Sequence, residues 1–419
     1  MKILVIGDTA DNMKTLQKFA KKSTIHLINF PKKQDGLKTL SDDVEFFESL
    51  LISKQVEKIK MIKDKYHLCI VMGWAAARVA YLAGLNYIMY FVGGDIVTPP
   101  FVKNSKLDYL KTPTTNFNFF ERRFYKKVFD NAIVCIAPTA EYYNPLKKYR
   151  NDAIRMDMIF VDTELFNENI KPKNIEKQKF TFLSAQRIGL EKGFDIIWKA
   201  IKLCKSDFQV LQVEWFIQNN EEERKINEKL MKEKPKQVKL IPLIKRNEVS
   251  QYFMFADAIL GQMRSGIQGG IERDAAFCKK PIICYTNPKR PSIINGKEIL
   301  PPFLPNSKEP EKLAELIDKI VESKEFRNQL AQDEFNYIKK LSCPEKVVNE
   351  WEQIFDNAHN KHNNINRKSS KISINVEIFI AKWIEKLYYV KKMKQKNIES
   401  WGEEEYKKLV TESKSKERK

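Results

Sequence analysis

The sequence predicts an α/β protein of two domains, each built on a parallel sheet, that face one another across a cleft and are followed by a helical tail. Three observations predict it. Short apolar runs alternate with longer amphipathic, lysine-rich stretches, which is the pattern of βα units around a parallel sheet. The 419 residues exceed what one ordinary core supports. A polar, proline-bearing segment from Phe166 to Lys179 separates two series of apolar runs and reads as a linker.

The first series offers strands at Ile3–Ile6, His26–Phe30, His67–Met72, Tyr87–Val92 and Ala132–Ala137, with helical stretches such as Leu40–Asp64 and Trp74–Ala83 between them. The second offers Phe180–Ser184, Phe208–Glu214, Gln237–Ile241, Ala258–Leu260 and Pro281–Tyr285. In open α/β sheets ligands bind at strand C-terminal ends, so the cleft between two such halves is the expected site. Asn306–Phe355 is helical by pattern. A polar linker at His359–Ser370 then leads into a tail in which Lys361–Lys419 holds 16 Lys/Arg against 8 Asp/Glu.

Bulk composition narrows the function classes. A hydrophobic content of 43% excludes a disordered chain. The formal charge of +20 points to an anionic partner: nucleic acid, an anionic membrane surface or phosphorylated small molecules. The six cysteines form no CxxC pair and four lie in apolar runs, as buried hydrophobes of a reducing compartment do. The four histidines show no ligand spacing with them, so no zinc is expected. The opening run Met1–Asp8 is too short for the core of a signal peptide and reads as a first strand. No window reaches the ~20 apolar residues of a membrane span. A cytoplasmic protein is expected, able to lie peripherally on the cytoplasmic face of a membrane.

The segment carrying the most chemistry is Phe180–Ile201. A strand ending at Ser184 is followed by a loop that places Arg187 and Lys192 near the start of an amphipathic helix. A pyrophosphate leaving group needs fixed positive charge, which a forked Arg, a Lys and a helix N-terminus supply. A solvated Arg and Lys on a surface loop would use the same residues. The segment resembles the donor-phosphate loop of GT-B glycosyltransferases, particularly the retaining family 4, whose pattern is roughly strand–GR–x4–KG–helix. Arg187, Lys192 and Gly193 match it, and Gln186 stands where Gly is usual.

The resemblance continues downstream. Lys239–Leu260 looks like the family's strand, turn and helix–strand before the donor site. Gly266–Tyr285 looks like its E-G-x-G-x-x-x-x-E-A block. The resemblance implies that amides of Gly269, Gly270 and Ile271 approach the donor, and that Asp274, at the second Glu, binds the ribose hydroxyls. Gly266 stands at the first Glu, which normally lies close to the donor sugar, and Glu272 is the carboxylate expected to substitute. A tight loop alone would also account for Gly269 and Gly270.

In the first half, Cys69–Arg78 followed by Tyr87–Ile96 resembles the family's paired strands ending in HG-x-D. Gly93, Gly94 and Asp95 match, and Val92 replaces the His. Asp95 is expected to face the reacting groups, with capping of the next element as its structural alternative. Gly7 ends the first strand, where the family has a glycine loop near the donor phosphates. Glu121–Pro138 resembles a helix–AD–strand–S unit, with Thr139 near the Ser. Asp157–Phe166 resembles P-N-G-V-D-T-x-x-F, which closes the first domain.

The resemblance thus implies a GT-B fold of two Rossmann-like domains facing across a cleft. Residues 1–168 would form the N-terminal acceptor domain and 169–345 the donor nucleotide-sugar domain. Residues 346–360 would form a helix crossing back, and 361–419 a basic amphipathic tail. It also implies transfer of a hexosyl-type sugar from a nucleotide-diphosphate sugar to a hydroxyl, with retention, without a metal or other cofactor. The departures at Val92 and Gly266 admit a non-catalytic relative that binds a nucleotide sugar or supports a partner.

Two surfaces bear on the acceptor. In the tail, Val376, Phe379, Ile380, Trp383, Leu387 and Val390 share one helical face ringed by lysines, as in a helix lying in a bilayer interface or docked on the protein itself. Phe117–Phe129 interleaves aromatics with basic residues, which suits stacking on nucleic acid; its helical spacing points to core packing. A lipid or glycan acceptor at a membrane is the expected partner beside the nucleotide sugar. Nucleic acid is not expected, because no recognition module is visible.

Overall fold

The structure is a computed structural model describing residues 1–8, 11–30, 44–49, 51–111, 113, 117–157, 160–216, 221–294, 296–342, 344–363, 376 and 379. The first domain is a seven-stranded sheet: β1 (Lys2–Ile6), β2 (Thr24–Asn29), β3 (Glu45–Phe46), β4 (Leu68–Met72), β5 (Tyr87–Tyr90), β6 (Val134–Ala137) and β7 (Ile154–Arg155). Its order is β3-β2-β1-β4-β5-β6-β7, and every pairing is parallel. The second sheet comprises β8 (Phe180–Ser184), β9 (Phe208–Val213), β10 (Val238–Ile241), β11 (Ala258–Leu260) and β12 (Ile282–Ile283), again parallel, in the order β10-β9-β8-β11-β12. An antiparallel hairpin, β13 (Ser292–Ile294) and β14 (Lys297–Ile299), forms a separate two-stranded sheet. Two parallel-sheet α/β domains followed by a helical C-terminal region are the architecture expected.

The local reasons are readable. All five residues of β4 are buried, as a strand covered by helices on both faces requires. The helix Trp74–Ala83 is rich in alanine, so its backbone lies close to the sheet, and Gly84 ends it in the left-handed region at φ 76°. Each sheet carries an apolar cluster on both faces. The helix Pro344–Asn363 belongs to the first domain's core: Val347, Trp351 and Phe355 pack with Ile3 and Val5, and Trp351 meets the Tyr90 ring edge-on at 5.0 Å. Ser23 Oγ donates to Glu352 Oε2 at 2.5 Å on the same contact.

Several expectations are corrected. The stretch Leu40–Asp64 is not one helix: β3 pairs with Ile28 and Asn29 at the sheet edge, and the helix spans Ile52–Ile62. Edge pairing and burial of Val44 and Phe47 on either side of β3 override the helical period there. The two-residue strands are too short to show a period. In the helix Phe119–Asp130, Tyr125, Val128 and Phe129 are core, but Phe119 and Phe120 are 60% and 77% exposed. The tail beyond residue 363 lies outside the described residues except for Val376 and Phe379, both exposed. Among the described residues no helix is long and apolar enough to cross a membrane.

The domains are joined by more than the linker. Asp157, buried at the end of the first domain, accepts from Thr139 N (2.8 Å), from Arg155 Nε and Nη2 (2.9 and 2.7 Å), and from Ile293 N of the hairpin (2.5 Å). Arg155 Nη2 also donates to Pro291 O at 2.7 Å, and Arg290 pairs with Glu141. The hairpin of the second domain is thereby clasped to the helix Thr139–Lys147 of the first.

Candidate functional site

The loop after β8 is held by glycine geometry. Gly193 has φ +79°, and a Cβ there would lie 2.9 Å from Met263 Cβ, so only glycine lets this loop meet the one after β11. Met263 N donates to Lys192 O at 2.8 Å. Arg264, a residue that the sequence pattern did not single out, laces the same two loops: Nη2 reaches both Asp195 oxygens at 2.6 and 2.8 Å, and Nε donates to Leu190 O at 3.0 Å. Arg187 lies over the Trp215 ring at 5.3 Å and donates to Glu191 Oε1 at 3.1 Å. Lys192 forms no ion pair with a described residue. Gln186 is buried, and neither atom of its amide has a hydrogen-bond partner.

The helix start beside this loop keeps one free amide among the described residues, that of Asp195. Gly193 N and Phe194 N donate back to Leu190 O and Gly189 O, because a 3₁₀ turn over Leu190–Lys192 consumes them. The more open N-terminus belongs to the helix Gly270–Phe277. Its first hydrogen bond is Arg273 N to Gly269 O, and Gly269 supplies no side-chain cap. The Gly270, Ile271 and Glu272 amides therefore have no acceptor among the described residues.

Glu272 is buried below that helix start rather than open to the cleft. Its Oε1 accepts from Gln262 N at 2.9 Å, and its carboxylate packs where the Cβ atoms of Gly261 and Gly269 would be. Gln262 in turn accepts from Arg264 N and Ser265 N and donates to Ile267 O, which shapes the loop after β11. The geometry thus gives Glu272 a loop-holding task. Gly266 has φ +75° with Asn287 Cβ 2.9 Å from its would-be Cβ, so no side chain replaces it without strain. Gly270, by contrast, would project a Cβ into open space. Asp274 is buried and already engaged: Arg246 Nη1 donates to its Oδ2 at 2.5 Å. Burial raises its carboxyl pKa, against the opposing pull of Arg246.

In the first domain, Gly7 is demanded by packing. Its φ is +89°, and a Cβ would lie 2.6 Å from Met72 O at the end of β4. Asp8 caps the helix Asn12–Phe19, accepting from Asn12 N and Lys14 N at 3.2 and 2.8 Å. After β5 the turn Gly94–Ile96 brings Asp95 back between two strand ends, its oxygens 3.3 Å from the would-be Cβ of Gly93 and 3.8 Å from that of Gly73. Burial raises its carboxyl pKa, with its own backbone amide opposing. No other residue's side chain bonds this carboxylate among the described residues, and Gly94 beside it is exposed with nothing within 4 Å of a Cβ.

The helix Thr139–Lys147, which carries Tyr142, packs against the Asp95 turn, and burial pushes the Tyr142 hydroxyl pKa up to about 12, with Arg273 opposing. Neither Tyr142 nor Arg273 is distinguishable by sequence pattern, since a tyrosine after an apolar strand reads as core and an arginine in a basic chain reads as surface. Among the described residues no group of three or more His, Cys, Asp and Glu side chains is placed to hold a metal ion.

Residues 166–336 match the family model described as glycosyl transferases group 1. No curated protein matches the sequence. Among solved structures, sucrose-phosphate synthase from Thermosynechococcus elongatus is similar at 14% identity and TM-score 0.63, over 85% of this chain and 98% of that one. Anabaena HepE in complex with UDP and glucose is similar at 15% identity and TM-score 0.63, over 85% and 100%. A glycosyltransferase from Rickettsia africae is similar at 13% identity and TM-score 0.54, over 85% and 98%. At these identities the likeness is one of fold. The chain therefore has the GT-B glycosyltransferase fold, and its second domain matches glycosyl transferases group 1.

Proposed function

We propose that this chain transfers a hexosyl unit from a nucleotide-diphosphate sugar to an acceptor hydroxyl, with retention and without a metal. The observation that carries the reading is the lacing of the Arg187–Gly193 loop, through Gly193, Met263 and Arg264, to the loop after β11, which leads into the bare helix start at Gly270. In this reading Lys192 and Arg187 stabilise the departing diphosphate, and the Gly270 and Ile271 amides donate to its oxygens. Asp95 faces the donor sugar and acceptor. Glu272 acts through the loop it holds. Likeness to a protein crystallised with UDP and glucose makes UDP-sugars the first donors to test.

A lipid or lipid-linked glycan on an anionic membrane is the acceptor class that the +20 charge and the exposed Phe119–Phe120 pair favour. The experiment is turnover of radiolabelled nucleotide sugars against acceptor lipids, in the wild type and in Arg187→Ala and Lys192→Ala. Turnover that both variants reduce by about 10²-fold or more supports the reading. Tight nucleotide-sugar binding with no turnover against any acceptor favours a non-catalytic binding protein, the reading to which closed Gly266 and engaged Asp274 lend support.

A further inference from the structure

Arg264 is bonded by its main chain to one half of the proposed donor pocket and by its side chain to the other. Its backbone N–H donates to Gln262 Oε1 at 2.9 Å, and the Gln262 N–H donates to Glu272 Oε1 at 2.9 Å beside the Gly270 helix start. Gln262 and Glu272 are both buried, so water does not compete for this tie. In the other direction the guanidinium reaches Leu190 O at 3.0 Å and both oxygens of Asp195 at 2.6 and 2.8 Å, the residues that flank Lys192 and Gly193. One residue therefore holds the open amides and the Arg187–Gly193 loop in register. It also neutralises Asp195, whose carboxylate would otherwise repel an anion held by Lys192.

The same guanidinium has a neighbour from the first domain. It lies over the Tyr109 ring at 5.8 Å. Tyr109 belongs to the connection that follows the Asp95 turn, residues 98–111, and Phe101 pins that connection to its own domain. The Phe101 ring meets those of Trp74, Phe129 and Tyr149 at 5.6, 5.1 and 5.2 Å. Trp74 in turn donates from Nε1 to Asp95 O at 3.0 Å, so the Asp95 turn and the Tyr109 connection share one anchor. An aromatic face attracts a guanidinium through its quadrupole and restricts where the cation sits. The seat of Arg264 is thus set from both domains.

We propose that Arg264 is a positioning residue that sets the Arg187–Gly193 loop against the Gly270 and Ile271 amides for a diphosphate, and that Tyr109 of the first domain completes its seat. This rests on the donor reading above and adds a route by which the first domain acts on phosphate affinity. Hydrogen bonds to a diphosphate weaken steeply once their donors shift by about 1 Å, so a loosened loop loses affinity while keeping every group that touches the ligand. By linkage, a ligand that draws the loop and the amides together also strengthens the Tyr109 contact and favours the closed cleft.

The test uses the full chain, with isothermal titration of pyrophosphate, UDP and uridine and with amide hydrogen exchange of the unliganded protein. The proteins are the wild type, Arg264→Met, Arg264→Lys, Tyr109→Ala, Tyr109→Phe and, as a control on the donor reading, Arg187→Ala. Arg264→Met is expected to weaken pyrophosphate and UDP roughly tenfold or more and leave uridine unchanged, with Arg264→Lys restoring part of the loss. Tyr109→Ala should weaken both phosphate ligands about two- to fivefold, while Tyr109→Phe, which keeps the ring face, should match the wild type. Exchange of the Lys192 and Gly193 amides should quicken in Arg264→Met and Tyr109→Ala. Unchanged phosphate affinity in both variants overturns the proposal even where exchange quickens, since Arg264 is then a structural tie alone. A loss in Arg264→Met with Tyr109→Ala unchanged in both readouts overturns the first-domain seat. If Arg187→Ala weakens UDP and Arg264→Met does not, this inference alone fails. If the wild type binds none of the ligands, the donor reading fails and the diphosphate task of Arg264 falls with it, while exchange in Tyr109→Ala still decides the seat.

Discussion

Arg246 donates from Nη1 to Asp274 Oδ2 at 2.5 Å while its guanidinium lies over the Phe166 ring at 4.4 Å, and its Nε is 3.8 Å from Asp11 Oδ2 of the first domain. The carboxylate expected to receive a ribose is thus held by an arginine that also reaches across the cleft. Burial and the neighbouring Asp8 push the Asp11 carboxyl up to about 8, with Arg246 opposing.

That arrangement makes stability pH-dependent through Asp11. A carboxyl held near 8 when folded and near 3.8 when unfolded contributes stability that is present below the lower value and lost as pH rises through the upper. Asp11→Asn keeps the neutral form at every pH. Its melting temperature should equal that of the wild type near about pH 4 and exceed it by a widening margin up to about pH 8, then level. Thermal melts across that range check it, and a constant difference would remove Asp11 as the cause.

Gly193 and Gly270 should respond differently to the same change. Gly193→Ala puts a Cβ against Met263 in left-handed backbone, and should destabilise the fold by about 1–3 kcal/mol. Gly270→Ala meets open space, so stability should hold while affinity for a nucleotide sugar falls. Denaturant melts and titration calorimetry on both variants separate the two effects.

Restoring the family's usual carboxylate at position 266 should not restore a site. Gly266→Glu forces a side chain into left-handed backbone between Tyr285 and Asn287, with a stability loss of at least about 2 kcal/mol. Chemical denaturation reads this directly, and a stable variant would show that the loop after β11 rearranges freely.

The interdomain clasp depends on Asp157. Asp157→Ala leaves Arg155 and the Ile293 and Thr139 amides without their shared acceptor, and should destabilise by about 3–5 kcal/mol. Small-angle scattering should show the domains separating in this variant, while Lys18→Ala, an exposed pair with Asp162, should do little.

Much of the scaffold was legible because buried parallel strands read as continuous apolar runs. Phe180–Ser184, Ala258–Leu260 and the helix Trp74–Ala83 coincide with their sequence patterns, and the other long strands differ by one or two residues at their ends. β3, β7 and the hairpin were not legible, since two or three residues show no period and depend on partners distant in the chain. Arg187, Lys192 and Gly193 were legible as a loop through charge and glycine spacing.

By itself the sequence determined two α/β domains, a basic chain and a phosphate-suited loop, because these follow from local periodicity, composition and spacing. Only the tertiary structure decided which groups are still free to act. Asp274 and Glu272 are carboxylates in the pattern but are occupied by Arg246 and by the Gln262 amide in space. The guanidinium of Arg273, unremarkable in the pattern, makes no hydrogen bond or ion pair among the described residues. Hydrogen-bond satisfaction is a property of what folding brings within about 3 Å, and no spacing along the chain encodes it.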